Sequence, residues 1–230
     1  MISKPYLFSA GGPINDGLKL LIDDGAHDLG PDSLTVVPSS AARVGVNGFV
    51  GTGATRFSTI GTVSDLTFPQ NVGILTAAAW VRPASVASSI WILSSRYGHS
   101  ANGFSFGWNQ TYTAWDFQAF AAGTAGNACW YYRTASNTPT VGRWTFIVLQ
   151  HDYAAASHAW YIDGTLSAGS SGAKRALATG DAANAVCMGN TVPGTVYANA
   201  RFRGVRLWNR ALAASEARYL YETERPAFYR

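Results

Sequence analysis

Apolar and polar residues alternate with a period of two along most of this chain, in short runs separated by small and turn-forming residues, which predicts strands and not helices. One stretch changes period within itself. In Arg201 to Glu222, RFRGVRLWNRALAASEARYLYE, residues Phe202, Gly204, Arg206 and Trp208 alternate with Arg203, Val205, Leu207 and Asn209, whereas Leu212, Glu216 and Leu220 fall at helical spacing. A strand running into a short closing helix is predicted, with the switch between Asn209 and Leu212. Further strands are predicted over Leu75–Pro83, Ile90–Arg96, Gly103–Trp108, Trp115–Phe120, Cys129–Thr134 and Ala185–Asn190, with two more inside 144–164. Phe104, Phe106 and Trp108 share one face of their strand. Asp23-Asp24-Gly25 ends a short strand near the start, and Asn47-Gly48 marks a hairpin between Val44-Gly45-Val46 and Phe49-Val50.

Composition narrows the class. The 230 residues suffice for one sizeable core, and all-β sandwiches of this length commonly form one domain. With 47% apolar and only 13% charged residues, 24 Gly and 8 Trp, the chain reads as a globular β-protein with many tight turns. The expected organisation is an N-terminal arm over 1–13, a domain over 14–222 and a short basic and aromatic tail over 223–230. The longest apolar runs, Gly73–Val81 and Thr145–Leu149, are far short of the roughly 20 residues that cross a bilayer. The start, MISKPYLFSAGGPIN, is interrupted by Pro5, Ser9 and Gly11 and lacks the continuous apolar core of a secretory signal. Cys129 and Cys187 do not form a disulfide framework; they are two small buried residues or a single bridge.

The net charge of +4 is localised. Residues 1–200 carry ten Lys or Arg against ten Asp, whereas residues 201–230 carry seven Arg against three Glu. Arg201, Arg203, Arg206, Arg225 and Arg230 are therefore candidates for a protein-contact surface, with a solvated strand and helix face as the alternative. A nucleic-acid partner is not expected, because the body of the chain balances its charges and shows no basic groove interleaved with aromatics.

The C-terminal phrase Val205-Arg206-Leu207-Trp208-Asn209-Arg210-Ala211-Leu212-Ala213, with Glu216 and Leu220-Tyr221 behind it, resembles the V-R-I-Y-N-R-A-L-S and E-x-x-x-L-Y signature of laminin-G-like domains in the concanavalin A-like lectin and glucanase superfamily. Leu75–Pro83, LTAAAWVRP, resembles that family's F-T-I-S-A-W-V-K-P strand. Trp144, Val148, Asp152-Tyr153 and Trp160-Tyr161-Ile162-Asp163-Gly164 match its W-x-H-V-A-x-x-Y-D and L-Y-V-D-G scheme, with Phe146 in place of the usual histidine. Ala185–Asn190 resembles its strand ending in I-G-N. The resemblance covers residues 14–222 and implies a jelly-roll β-sandwich of two antiparallel sheets with one short C-terminal helix. Two departures stand out. Ala213 replaces the serine that would cap the helix, a loss of about 1 kcal/mol that leaves this end to the packing of Leu212 and Leu220. Arg203-Gly204 replaces an acidic pair found in many relatives.

Catalytic chemistry is poorly supplied. The glucanase branch uses paired carboxylates about 5 Å apart on one strand. The three glutamates here, Glu216, Glu222 and Glu224, all fall on or after the helix, and Asp116 and Asp152 are aspartates on or beside predicted strands that could substitute. His27, His99, His151 and His158 show no metal-ligand spacing. No cofactor is expected, although the resemblance implies calcium at a loop rim, for which Asp23, Asp24, Asp28 and Asp65 are the candidates.

Binding chemistry is better supplied. Sugars stack apolar C–H faces on aromatic rings and need a few oriented polar groups. Trp108, Asn109, Tyr112 and Trp115, joined by Trp130 and Tyr132, are the candidate ligand-binding set: exposed, they would form a stacking platform, and turned inward, they would be core. Asn109-Gln110-Thr111 is also a glycosylation triplet. The favoured function is a non-catalytic recognition or adhesion module for a glycan or cell-surface ligand, on a virion surface or outside the cell. Laminin-G-like domains occur in bacteriophage tail and capsid-surface proteins, which makes other virion proteins or further copies of the chain the alternative partners. A divergent polysaccharide hydrolase or lyase is the third reading.

Overall fold

The computed structural model describes residues 13–23, 28–38, 49–50, 58–95, 102–121, 130–135, 137–171, 176–182, 184–189 and 198–228. The arm over 1–12, the Asn47-Gly48 hairpin, Cys129, His27, His99, Asp24 and Arg230 lie outside these residues.

In chain order the strands are β1 (Leu18–Ile22), β2 (Val36–Pro38), β3 (Phe49–Val50), β4 (Ser58–Ile60), β5 (Ile74–Pro83), β6 (Ile90–Ser94), β7 (Gly103–Asn109), β8 (Ala114–Phe120), β9 (Trp130–Thr134), β10 (Thr145–Asp152), β11 (Ser157–Ile162), β12 (Thr165–Ser167), β13 (Gly169–Ser171), β14 (Val186–Met188) and β15 (Ala200–Trp208). One helical turn, α1 (Phe68–Asn71), precedes β5, and helix α2 (Ala214–Glu224) follows β15. The strands form two antiparallel sheets. One has the order β1-β15-β5-β10-β11-β12, with β3 also pairing β15, and the other the order β13-β9-β8-β7-β6-β14-β4-β2. This is the sandwich expected from the sequence, with its closing helix.

Two apolar layers hold it together. Between the sheets lie Leu75, Ala77, Ala79 and Val81 of β5, Ile147 and Leu149 of β10, and Phe104, Phe106, Trp108, Trp115 and Phe117 of β7 and β8. On the opposite side of the seven-stranded sheet a second cluster joins Ala78, Trp80, Phe146, Val148 and Trp208 to Leu212, Ala217 and Leu220 around α2. Both faces of β5 and β10 are therefore covered, which explains why LTAAAWV and TFIVL are continuous apolar runs instead of alternating ones. Asp163 and Gly164, with φ of 49° and 74°, make the two-residue turn between β11 and β12, as the Asp-Gly pair predicts.

Three expectations need correction. The alternation in β15 breaks at a bulge between Arg203 and Arg206, where Gly204 takes φ of +55°. Phe202 consequently shares the inner layer with Val205 and Leu207, while Arg206 and Trp208 turn out beneath the helix. One extra residue shifts the phase of everything after it. Second, the start of α2 is capped in spite of Ala213. The Glu216 carboxylate accepts the Ala213 N–H at 2.7 Å and is itself gripped by Arg210 through bonds of 2.9 and 2.7 Å. That is the return half of a capping box, supplied from the third helical position. The Arg210 bonds hold the Glu216 carboxyl below its ordinary value, against the opposing effect of partial burial.

Third, Arg206 of the C-terminal stretch is withdrawn from the surface. Arg206 is only 5% exposed; its Nη1 donates to Glu224 Oε2 at 3.3 Å, and its Nη2 lies 2.7 Å from Oε1 in an ion contact off the hydrogen-bonding direction. Arg203 pairs with Asp23 at 3.1 Å, and Arg225 Nη1 sits 3.8 Å from Glu222. Arg201 is half-buried on β15. The residues after the helix fold back: Arg225–Ala227 form a 3-10 turn, and the Phe228 ring stacks on Trp80 at 4.2 Å.

Candidate functional site

The hairpin of β7 and β8 decides which side chains face a ligand. Trp108 and Trp115 are direct cross-strand partners, and both point inward with Phe106 and Phe117. Side chains alternate along a strand, so Gly107, Asn109, Asp116 and Gln118 must point away from the core. Register then aligns Gly107 with Asp116 and Asp116 with Arg133 of β9. Gly107 is required here, since a Cβ would run into the Ile90 carbonyl of the neighbouring strand.

Asp116 is the centre of this outer face. It is fully buried, and every partner it has is a donor: Asn109 Nδ2 at 2.8 Å and Gln118 Nε2 on Oδ2, and Arg133 Nε at 3.2 Å on Oδ1. Burial pushes its carboxyl above the ordinary aspartate value, opposed by the Arg133 charge and by the three hydrogen bonds. Among the described residues no second carboxylate acts on it. The Arg133 guanidinium lies between two phenol rings, its Cζ 3.5 Å from the Tyr112 centroid and 3.9 Å from that of Tyr131. Tyr131 precedes Arg133 by two residues on the same face of β9. Tyr112 arrives from the 110–113 turn, shaped by the bond from Thr111 N–H to Asn109 Oδ1 at 3.1 Å and by the positive φ of Thr113.

The aromatic candidates divide accordingly. Trp108 and Trp115, 1% and 0% exposed, are core residues with no ring face open to a ligand. Tyr132 is also turned inward, its ring 4.5 Å from His151 and 4.2 Å from His158, and burial pushes its hydroxyl up to about 12. Asn109 is buried and acts through Asp116, which also removes it from glycosylation. Trp130 lies on β9, with its side chain outside the described residues. Of the five whose side chains are described, Tyr112 alone is exposed, at 48%. Gln118, Tyr131 and Arg133 are not among the six sequence candidates, although Tyr131 and Arg133 belong to the Trp130–Arg133 run that holds two of them. The parity of the strand carries the signal, because once Phe104, Phe106 and Trp108 are assigned inward, their neighbours are the outward set.

Among the described residues, the candidate calcium ligands Asp23, Asp28 and Asp65 do not converge. Asp28 accepts the backbone N–H groups of Leu21, Gly30 and Leu34, Asp65 accepts Thr62 N–H and Oγ1–H, and Asp23 faces Arg203, so these carboxylates serve separate protein donors. Among the described residues no three metal-ligating side chains converge. Cys187 is buried, with Sγ 3.8 Å from the Ala185 carbonyl and 3.9 Å from Thr59 Oγ1. The glutamates lie on the helix side of the other sheet: Glu216 with Arg210, Glu224 with Arg206 and Trp80, and Glu222 beside Arg218 and Arg225. No helix among the described residues is long and apolar enough to cross a membrane.

The fold is shared with known binding domains. The botulinum neurotoxin serotype D binding domain superposes with a TM-score of 0.68 at 11% identity, covering 91% of this chain and 51% of that one. The binding domain of botulinum neurotoxin DC in complex with SialylT gives 0.64 at 12% identity, covering 91% and 52%. A botulinum neurotoxin type C structure, of a toxin whose cell entry depends on two ganglioside molecules, gives 0.64 at 12%, again covering 91% and 52%. The chain thus spans about half the length of these structures. No curated protein matches it by sequence. The model of the Laminin_G_3 family matches residues 54–218, most of the chain and both of its sheets, and the chain belongs to that family of the concanavalin A-like lectin and glucanase superfamily.

Proposed function

We propose that this chain is a non-catalytic recognition module that binds a glycan on the outer face of its eight-stranded sheet. The observation that carries the reading is the polar network around Asp116, in which Asn109, Gln118 and Arg133 are fixed on rigid strands beside the exposed Tyr112 ring. An apolar ring edge next to a few pre-oriented donors is what sugar recognition needs. The structures sharing the fold are binding domains, one in complex with SialylT and one from a ganglioside-dependent toxin, which supports the same class of ligand. Asp116 is locked by three donors and, among the described residues, meets no partner acid, an arrangement that favours binding over glycoside hydrolysis.

Screening the full chain on a glycan array tests this, followed by Tyr112→Ala with folding checked by circular dichroism. Binding of a defined glycan group, lost in the folded variant, is the expected result. Failure to bind any glycan, or an undiminished signal from the variant, overturns the reading, as does release of reducing sugar from a polysaccharide.

A further inference from the structure

Arg133 is held in a way that a merely structural arginine does not need. Its Nε is committed to Asp116 Oδ1, which fixes the rotation of the guanidinium. Its two flat faces are covered by Tyr112 and Tyr131. Asp116 Oδ2 is already taken by Asn109 and Gln118, so the carboxylate makes no claim on the far edge of the guanidinium. Among the described residues neither Nη makes a hydrogen bond or ion pair, and the side chain keeps 16% of its surface open. The result is a planar fork of N–H donors that is oriented, shielded from water above and below, and unfilled at its outer edge.

We infer that this edge receives a carboxylate, so that the module selects acidic sugars over neutral ones. This rests on the glycan-binding reading. A planar carboxylate matches the two parallel N–H directions of a guanidinium, and such bidentate, charge-assisted pairs are among the strongest hydrogen bonds proteins make. The rotamer entropy usually lost when an arginine engages a ligand is already lost here, because the rings and Asp116 hold the side chain in place. Asp116 engages the guanidinium through Nε, and its other oxygen is occupied by Asn109 and Gln118, so the incoming carboxylate would meet a different edge of Arg133. Tyr112 adds an exposed ring on which the sugar body can rest.

The test is titration calorimetry of the full chain with sialyllactose, lactose and sulfated lactose, repeated with Arg133→Lys after its melting temperature confirms folding. Lysine keeps the charge and the pairing with Asp116 but lacks the fork. Sialyllactose is expected to bind at least about ten-fold more tightly than lactose, and that ratio to fall to about one in Arg133→Lys. The nitrogen-15 resonances of the Arg133 guanidinium in the wild type should also shift on adding sialyllactose and stay still on adding lactose. Equal binding of sialyllactose and lactose overturns the inference while leaving the glycan module standing. No binding of any of the three removes both. Preference for sulfated over sialylated lactose, or a ratio unchanged in Arg133→Lys, also overturns it.

Discussion

Removing the Glu224 carboxylate should be the most damaging single polar change in this protein. Glu224 is the last residue of α2, yet it is only 5% exposed and faces Arg206, which is equally buried. Its Oε2 also accepts the indole N–H of Trp80 at 2.8 Å, beneath the stacked Phe228 ring. Glu224→Ala removes the counter-charge of a buried guanidinium, whose Nη1 keeps the Gly204 carbonyl at 3.3 Å, and the carboxylate acceptor of the Trp80 indole N–H. Breaking a buried ion pair from one side costs about 3–5 kcal/mol, and an orphaned neutral donor about 1–3 kcal/mol more. The position at a helix end lets water reach the gap by fraying, so a total of about 3–4 kcal/mol is expected. At a slope of about 3 kcal/mol per molar urea, the midpoint falls by about 1 M, which tryptophan fluorescence reads directly. Glu224→Gln, which keeps the shape and the Trp80 bond, should lose less. The double variant Arg206→Met/Glu224→Leu should return to within about 1 kcal/mol of wild type, because a buried ion pair often contributes little beyond a well-packed apolar one. A midpoint shift below about 0.2 M for Glu224→Ala, or a double variant no better than the single, would refute the reasoning.

Other consequences are open to measurement. Because Arg210 depresses the Glu216 carboxyl, its contribution is fully present above the unfolded value and disappears as pH falls through the folded one. The urea-midpoint gap between wild type and Glu216→Gln should be constant well above the ordinary glutamate value of 4.5 and shrink as pH falls below it; a gap independent of pH argues against it. Gly204→Ala places a side chain at φ of +55°, with its Cβ 3.2 Å from Arg206 Nη1, and should cost about 1–2 kcal/mol by thermal melting, whereas a neutral result would mean the bulge is not held. Trp115→Ala empties a fully buried site and should cost about 3–5 kcal/mol, but Tyr112→Ala, at an exposed ring, should cost under about 1 kcal/mol; equal losses would contradict the inward assignment.

Strand positions and the closing helix were legible because they rest on local signals. The Asp163-Gly164 turn, the period change at Asn209–Leu212 and the strand-length runs each need only neighbours in the chain. The site was harder, because a residue's worth there depends on which way its strand faces. Trp108 and Trp115 attract attention as sugar-stacking rings, yet alternation with Phe104 and Phe106 sends them inward and leaves Asp116, Gln118 and Arg133 outside. The basic excess misleads for a related reason: charge counts along the sequence cannot show that Arg206 is cancelled by Glu224 eighteen residues later. The bulge at Gly204 defeats period counting altogether, since one inserted residue turns Arg206 and Trp208 to the helix side.

The position of β15 has a consequence for how the chain is made. It lies between β1 and β5, pairing Val205 with Ile22 and Leu207 with Ala77, so the seven-stranded sheet is split until nearly all of the domain has left the ribosome. Before then, the flanks of β1 and β5 are unpaired strand edges next to apolar residues, a state open to chaperones and prone to self-association. Contacts between residues this far apart also close a large loop, which slows folding. Ribosome-stalled chains ending before residue 200 should therefore stay protease-sensitive, and protection should appear abruptly once β15 and α2 emerge together.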